Sequence, residues 1–428
     1  MVAARLPAAL QSGMRRALCF AALLTSAAAL AQSPDEAALL LADQAPETVA
    51  RASDWQAFVE GALGRSTLRN GGALDQQRLS FDVQFDKVFA PGWRAVFADR
   101  LDMNRDNEPA RQNSINTLKE AYVSWQMRDD QLFDLGRVNA RYGVATGYNP
   151  TDYFRAGANR SIVSADPASL KKNRLGSVML RSQTLWDGGS VTALYSPKLA
   201  TQPNSASWNP DIGATNNQHR WLLAVSHKLS ENINPQWLLY DEEHRAPQLG
   251  VNLSLLVNDA TVSYFEWSGG RGRSLLSQAL NRADDSAFRN RVATGLTYTT
   301  ANKMSLTLEY QYNGAGLRET EWNALPRASL AAYGQYRAAT QNLQDMPTHQ
   351  AVFFYGAWQD AMIHRLDLNA MLRFNVADRS RLAWLEARYR WDRAEAALQW
   401  QNNSGDATSE FGAASQRRIA QVLLRYFF

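Results

Sequence analysis

The segment Gly136-Arg137-Val138-Asn139-Ala140-Arg141-Tyr142-Gly143, followed by Gly147-Tyr148-Asn149-Pro150-Thr151-Asp152-Tyr153-Phe154-Arg155, gathers side chains able to hold a solute. It opens a 32-residue stretch from Arg141 to Lys172 that ends in Lys171, Lys172 and, just beyond, Arg174. A stretch of this length is unusual unless it is functional or disordered. Its density of Gly, Pro, Tyr and Phe argues for a compact conformation, and Asn149-Pro150-Thr151-Asp152 is good turn chemistry. One expectation is a constriction in which Arg137, Arg141, Arg155, Arg160, Lys171 and Lys172 face a solute beside Asp152 and Tyr153. The other is an Arg/Asp/Tyr latch that braces the segment. Residue types alone leave both open.

Catalytic chemistry finds less support. The histidines are His219, His227, His244, His349 and His364, and no two lie three to five residues apart, as metal ligands on one element would. His227 shares a face with Trp221, Leu223 and Val225, yet no Ser or Thr stands beside it there as a nucleophile for acyl hydrolysis. No catalytic residue, metal or cofactor is therefore expected. A membrane-embedded hydrolase is the reading from another class.

The elements that must position the segment alternate with period two. Met304, Leu306, Leu308, Tyr310 and Tyr312 alternate with Ser305, Thr307, Glu309 and Gln311, and the pattern recurs at 79–85, 366–374 and 394–400. Side chains of a strand point to opposite faces in turn, so each segment has one apolar and one polar face. About eighteen such segments follow Trp55, with sixteen as the alternative count. Their connections alternate between long loops, such as 196–218 and 314–349, and tight turns at Pro91-Gly92, Asp129-Asp130 and Asp187-Gly188-Gly189. That division places long loops at one end and turns at the other, as in an antiparallel up-and-down transmembrane β-barrel. The lumen of such a barrel would receive Arg78, Asp82, Asp86, Arg94, Arg100, Glu120, Asp134, Glu309, Asp367, Arg373, Arg388 and Glu395. Charge on this scale requires pairing or water. It implies either a wet channel or charges that pair across the lumen and close it. Trp93, Trp125, Trp186, Trp237, Trp267, Trp358 and Trp391 fall near segment ends, where interface girdles belong. Strict alternation breaks over Leu132 to Asn139, which suggests a bulge. The Gly314 to His349 stretch reads as a solvated mixed-charge loop, with a surface lid as the other reading.

The N-terminus reads as a signal peptide, residues 1–31. Arg5, Arg15 and Arg16 precede the apolar run Ala17 to Leu30, and Ala29-Leu30-Ala31 gives the cleavage pattern. Residues 32–54 would form a periplasmic or plug segment. Ser33-Pro34-Asp35-Glu36 starts a short helix there. Residues 55–428 would form the barrel. Cleavage removes Cys19, the only cysteine, and lowers 45 basic residues to 42 against 41 acidic, a balance that gives no support to nucleic-acid binding.

The last segment carries the sharpest signal. Ala420, Val422, Leu424, Tyr426 and Phe428 form one apolar face ending on an aromatic. This resembles the C-terminal signature of Gram-negative outer-membrane β-barrels. The resemblance implies that Val422, Leu424, Tyr426 and Phe428 are read by the barrel-assembly machinery, with outer-membrane lipids and lipopolysaccharide as surroundings. The Gly136-Arg137 strand followed by Asn149-Pro150-Thr151-Asp152 is similar to a pattern in porin-like outer-membrane proteins. The strand number resembles that of the alginate-export and substrate-specific porins. This second resemblance covers the central segment. It implies a channel for passive, selective passage of small hydrophilic or charged solutes, with a plugged exporter or surface scaffold as the alternative. Neither the solute nor an oligomeric state is set by these residues.

Overall fold

The computed structural model describes residues 54–106 and 112–428. The expected signal peptide and plug helix lie outside the described residues. The period-two segments form eighteen strands in one sheet, from β1 (Trp55–Leu68) to β18 (Gln416–Phe427). Every strand pairs antiparallel with its sequence neighbour, and β1 closes on β18 from Phe58 opposite Phe427 to Leu68 opposite Gln416. Closure leaves no edge strand, so over most of its height the wall backbone satisfies its own hydrogen bonds, as a lipid surround requires.

The outer face is apolar. Leu63, Leu79, Phe81, Leu308, Leu398, Val422 and Leu424 all point outward and are exposed. Around the turn end runs an aromatic row in which Trp93 stacks on Trp125 at 5.5 Å and Trp125 on Phe133 at 5.8 Å. Trp186, Trp237, Trp358 and Trp391 continue this row, whereas Trp267 lies at the loop end.

The separation of loops from turns holds with exceptions. The connections at 69–72, 243–247 and 376–380 are short though they lie at the loop end, and 228–235 is long for a turn. The break in alternation near Leu132 is not a bulge: β5 (Gln131–Val138) stays in register with β6 (Ser177–Trp186) throughout. It is β4 (Ser114–Arg128) that shifts register, once beside the turn, between Gln126 and Arg128 opposite Leu132 and Gln131, and again deeper in, where Ala98 of β3 (Trp93–Asp106) opposes Glu120 and Asp99 opposes Leu118. At the deeper shift, Lys119 is the extra residue. Lys119 and Glu120 thereby both face the lumen.

What disturbs β5 is its departure from the wall. It pairs with β4 only as far as Arg137 opposite Ala121, then turns inward. Gly136 sits at this exit with φ +136°, and a Cβ there would overlap the Ala121 carbonyl oxygen. Above the exit, the upper half of β4 has lost its neighbour. The connection at 197–219, between β7 (Gly189–Ser196) and β8 (Arg220–His227), fills the place: the Asn116 N–H donates to the Ser207 carbonyl at 2.9 Å. Arg137 donates to the Pro210 carbonyl at 2.6 Å, and Arg160 donates to the carbonyls of Asn209 and Ala206. A loop thus patches the wall where a strand has left it.

Candidate functional site: a constriction loop and the cavity beside it

The segment that β5 releases, residues 139–176, crosses the lumen, because its partners are inward-facing residues of distant strands. Two glutamates hold it. Glu266, on β11 (Thr261–Gly272), accepts from the backbone N–H groups of Val144 (3.0 Å), Ala145 (3.1 Å) and Thr151 (2.8 Å), and from the Asn149 and Thr151 side chains. Glu309, on β13 (Met304–Asn313), accepts from Thr146 (2.9 Å), Gly147 (3.1 Å) and Tyr148 (2.9 Å), and from the Tyr264 hydroxyl at 2.7 Å. Both carboxylates are fully buried. A concave row of amides is a natural anion cradle, and here the anion belongs to the wall.

Farther on, the loop ends in α1 (Pro167–Lys172), whose N-cap Asp166 accepts from the Ser169 N–H at 2.9 Å. Asp166 also accepts from the Tyr355 hydroxyl at 3.1 Å, and Gln421 of β18 reaches the Val163 carbonyl at 3.4 Å. The loop therefore touches the wall on several sides.

The arginines expected to face solute mostly brace the loop instead. Arg155 pairs with Asp345 at 3.3 Å and donates to the Asn149 carbonyl. Asp152 takes both arms of Arg174, at 2.7 and 3.1 Å. Arg137 is buried on the outer side of β5, and Arg160 is spent on the wall patch. Lys171 donates to the Ala145 carbonyl at 3.1 Å; burial pushes its ammonium below the usual lysine range, against the pull of Asp152, Glu266 and Glu309. The Tyr153 hydroxyl meets Ser268 at 3.0 Å while its ring stacks on Tyr240. Arg141 and Lys172 remain exposed. In its geometry the segment is the latch.

Asp345 was not foreseen. Beyond the short helices α2 (Ile212–Thr215) and α3 (Leu275–Ala279) of earlier connections, it follows a helical hairpin, α4 (Glu319–Ala328) and α5 (Leu330–Leu343), in the connection after β13. This connection is no solvated loop: Trp322, Tyr333 and Tyr336 are buried together. Asp345 accepts from the Tyr148 hydroxyl at 2.6 Å and from Arg291 at 3.1 Å, in addition to Arg155. Burial pushes its carboxyl up, but Arg291 and Arg155 outweigh burial and hold it below the usual carboxylate range. The Gly157 N–H donates to the Asn342 carbonyl at 2.9 Å. The outer hairpin and the constriction loop are one packed unit.

The lumen charges pair along the wall rather than across it. Glu60 receives Arg78 (2.8 Å) and Arg425 (2.7 Å) from the two strands beside it and Arg100 (3.0 Å) from one strand farther along. Asp82 receives Lys119 at 2.7 Å, Asp134 receives Arg181 at 2.6 Å, and Asp86 receives Arg94 at 2.5 Å. Arg388 bridges Glu386 and Glu395, each at 2.8 Å, and Arg390 meets Asp367 at 2.6 Å. Glu120 faces the lumen opposite Ala98 at the bulge. Of the two readings left open for these charges, none of these pairs is of the kind that closes the lumen by spanning it.

Beside the loop lies a cavity of about 550 Å³. The loop tail at Ile162 to Ala165 forms one side, α5 the roof, and inward residues of β15 (Leu366–Asn375) through β18 and of β2 (Ala73–Ala90) the rest. Arg78 and Arg373, both expected in the lumen, line it. His227 has no part in the site. Its Nδ1 accepts from the Trp186 indole at 3.4 Å in the aromatic row.

Architecture and site together define a closed, eighteen-stranded porin-like barrel narrowed by an inward loop. Solved structures share this architecture. OccAB1 of Acinetobacter baumannii superposes with a TM-score of 0.57 at 12% identity, over 87% of this chain and 96% of that one. OpdK of Pseudomonas aeruginosa, crystallised with vanillate, gives 0.55 at 8% identity over 87% and 98%. A second OpdK structure, described as an outer membrane protein, gives 0.54 at 8% identity over 87% and 98%. No family model and no curated protein matches the sequence. The likeness is one of fold.

Proposed function

We infer that the protein is a passive channel of the bacterial outer membrane for small hydrophilic solutes. The observation that carries this reading is the polar cavity left beside a loop that narrows, and is fastened to, the wall of an apolar-coated barrel. Eighteen strands enclose a lumen wide enough for water. The ion pairs along the wall hold charge in place without spanning the path. Arg141, Lys172 and Arg373 are the cations left to meet a solute. Residues 1–31 direct export. The outward row Val422, Leu424, Tyr426 and Phe428 is the face offered to the assembly machinery, with lipid and lipopolysaccharide around the finished wall.

The direct test is conductance of the refolded chain, residues 32–428, in a planar bilayer under a salt gradient. A stable current that grows in proportion to salt is expected. A protein that inserts and carries none would refute the channel.

A further inference from the structure

The residues lining the cavity say more than that solutes pass. All but one of its charged groups are already engaged. Arg78 is bound to Glu60, and Arg337 donates to the carbonyls of Glu410 and Ala413. Asp345 lies between Arg155 and Arg291, while Glu410 accepts from Asn375 at 2.7 Å with Arg373 nearby. Uncharged amides dominate what is left. Gln76, Asn159, Gln341 and Gln416 line the cavity and make no side-chain hydrogen bond among the described residues. On β17 (Ala394–Ser404), Gln401 gives one N–H to Asn403 at 3.3 Å, and its carbonyl oxygen has no donor among the described residues. Apolar surface accompanies the amides: Ile162 is 61% exposed, and Phe411 is also in the lining.

An amide offers a donor and an acceptor at fixed separation, and a hydroxyl uses both. An anion would instead need a free cation, and among the described lining residues Arg373 is the one left, with the Glu410 carboxylate near enough to offset it. The volume falls within the range of about 300–1,000 Å³ usual for small-molecule sites. We propose that this cavity is a binding station for a neutral, hydroxyl-rich solute of sugar size, its hydroxyls read by the Gln76, Gln401, Gln416 and Gln341 amides and its C–H face laid on Ile162 and Phe411. The station rests on the channel reading and adds the class of solute to it.

The experiment uses the refolded protein in planar bilayers with maltose as the neutral probe and gluconate as the anionic one. Maltose should interrupt the salt current in a saturable way, and gluconate of equal concentration should not. The Gln401→Leu/Gln416→Leu double variant should raise the half-blocking maltose concentration about fivefold, the order expected for losing one to two net hydrogen bonds. Gln77→Leu, on the outer face, should leave it unchanged. Saturable block by gluconate alone, or equal block by maltose in wild type and double variant, overturns the proposal while the channel stands. The comparison of the two probes on the wild-type protein decides the matter even if the double variant does not fold. A folded barrel without current overturns both readings.

Discussion

Glu266 and Glu309 are buried carboxylates without a cation beside them in the sheet. Glu266 stands opposite Asn252 and Ala293, and Glu309 opposite Gly295 and Phe353. A buried charge needs pairing or several donors, and loop amides supply them. Replacing Glu309 by Ala strands three N–H groups and should loosen the loop by about 3–5 kcal/mol. Trypsin should then cut the folded barrel at Arg141 or Arg155, where it spares the wild type. Equal resistance would mean the clamp is dispensable. Asp345 gives a prediction with a sign. Its folded carboxyl titrates below its unfolded value, so its contribution is complete above about pH 4 and fades as the pH falls through and below that value. Thermal unfolding temperature should therefore drop on acidification, and Asp345→Asn should flatten the drop. Alternation alone places Glu309 in the lumen, and the same rule reaches Glu266. Its lack of a cationic neighbour could be found only by knowing register, so the sequence reading passed it over and favoured the arginines.

At the scale of elements, the strands were legible because each carries its own period, whereas the helical hairpin was not. Pro326 lies inside α4 and Gly334 inside α5, and neither residue favours a helix interior. Local cues are present, with Glu319 and Glu321 in the first turn of α4 and Ser329 as N-cap of α5, but what holds the hairpin together is the packing of Trp322 on Tyr333 and Tyr336, a tertiary cause. The break at Leu132 to Asn139 was visible but misread, since an inward turn and a bulge disturb alternation alike. Gly136→Val tests the turn. With φ at +136° and the Ala121 carbonyl in the way, it should cost at least about 1–3 kcal/mol, read as a lower midpoint in denaturant unfolding. A variant as stable as wild type would show that β5 can leave the wall by another path.

At the scale of the whole molecule, an apolar exterior and a charged interior meet in one wall, and each side limits what the other tolerates. Leu398 is 57% exposed at mid-strand between Ala387 and Val422. Leu398→Arg should destabilise the barrel by about 2–4 kcal/mol at the bilayer midplane. A smaller fraction of compact, heat-modifiable protein on an unboiled gel would show it, and full recovery would argue against lipid at that face. Closure and strand number were accessible because they sum many weak periodic signals. The cavity was not, because it is the space left between a loop, a roof and a wall far apart in the chain.

The clamp that narrows the lumen also has a place in time. The N–H groups of Val144 and Tyr148 wait for carboxylates 122 and 161 residues downstream. Contacts between residues so far apart form late, after the intervening chain is in place. The nascent barrel accordingly passes through a stage with its strands threaded and its gauge not yet set, and the constriction is among the last features of the pore to exist.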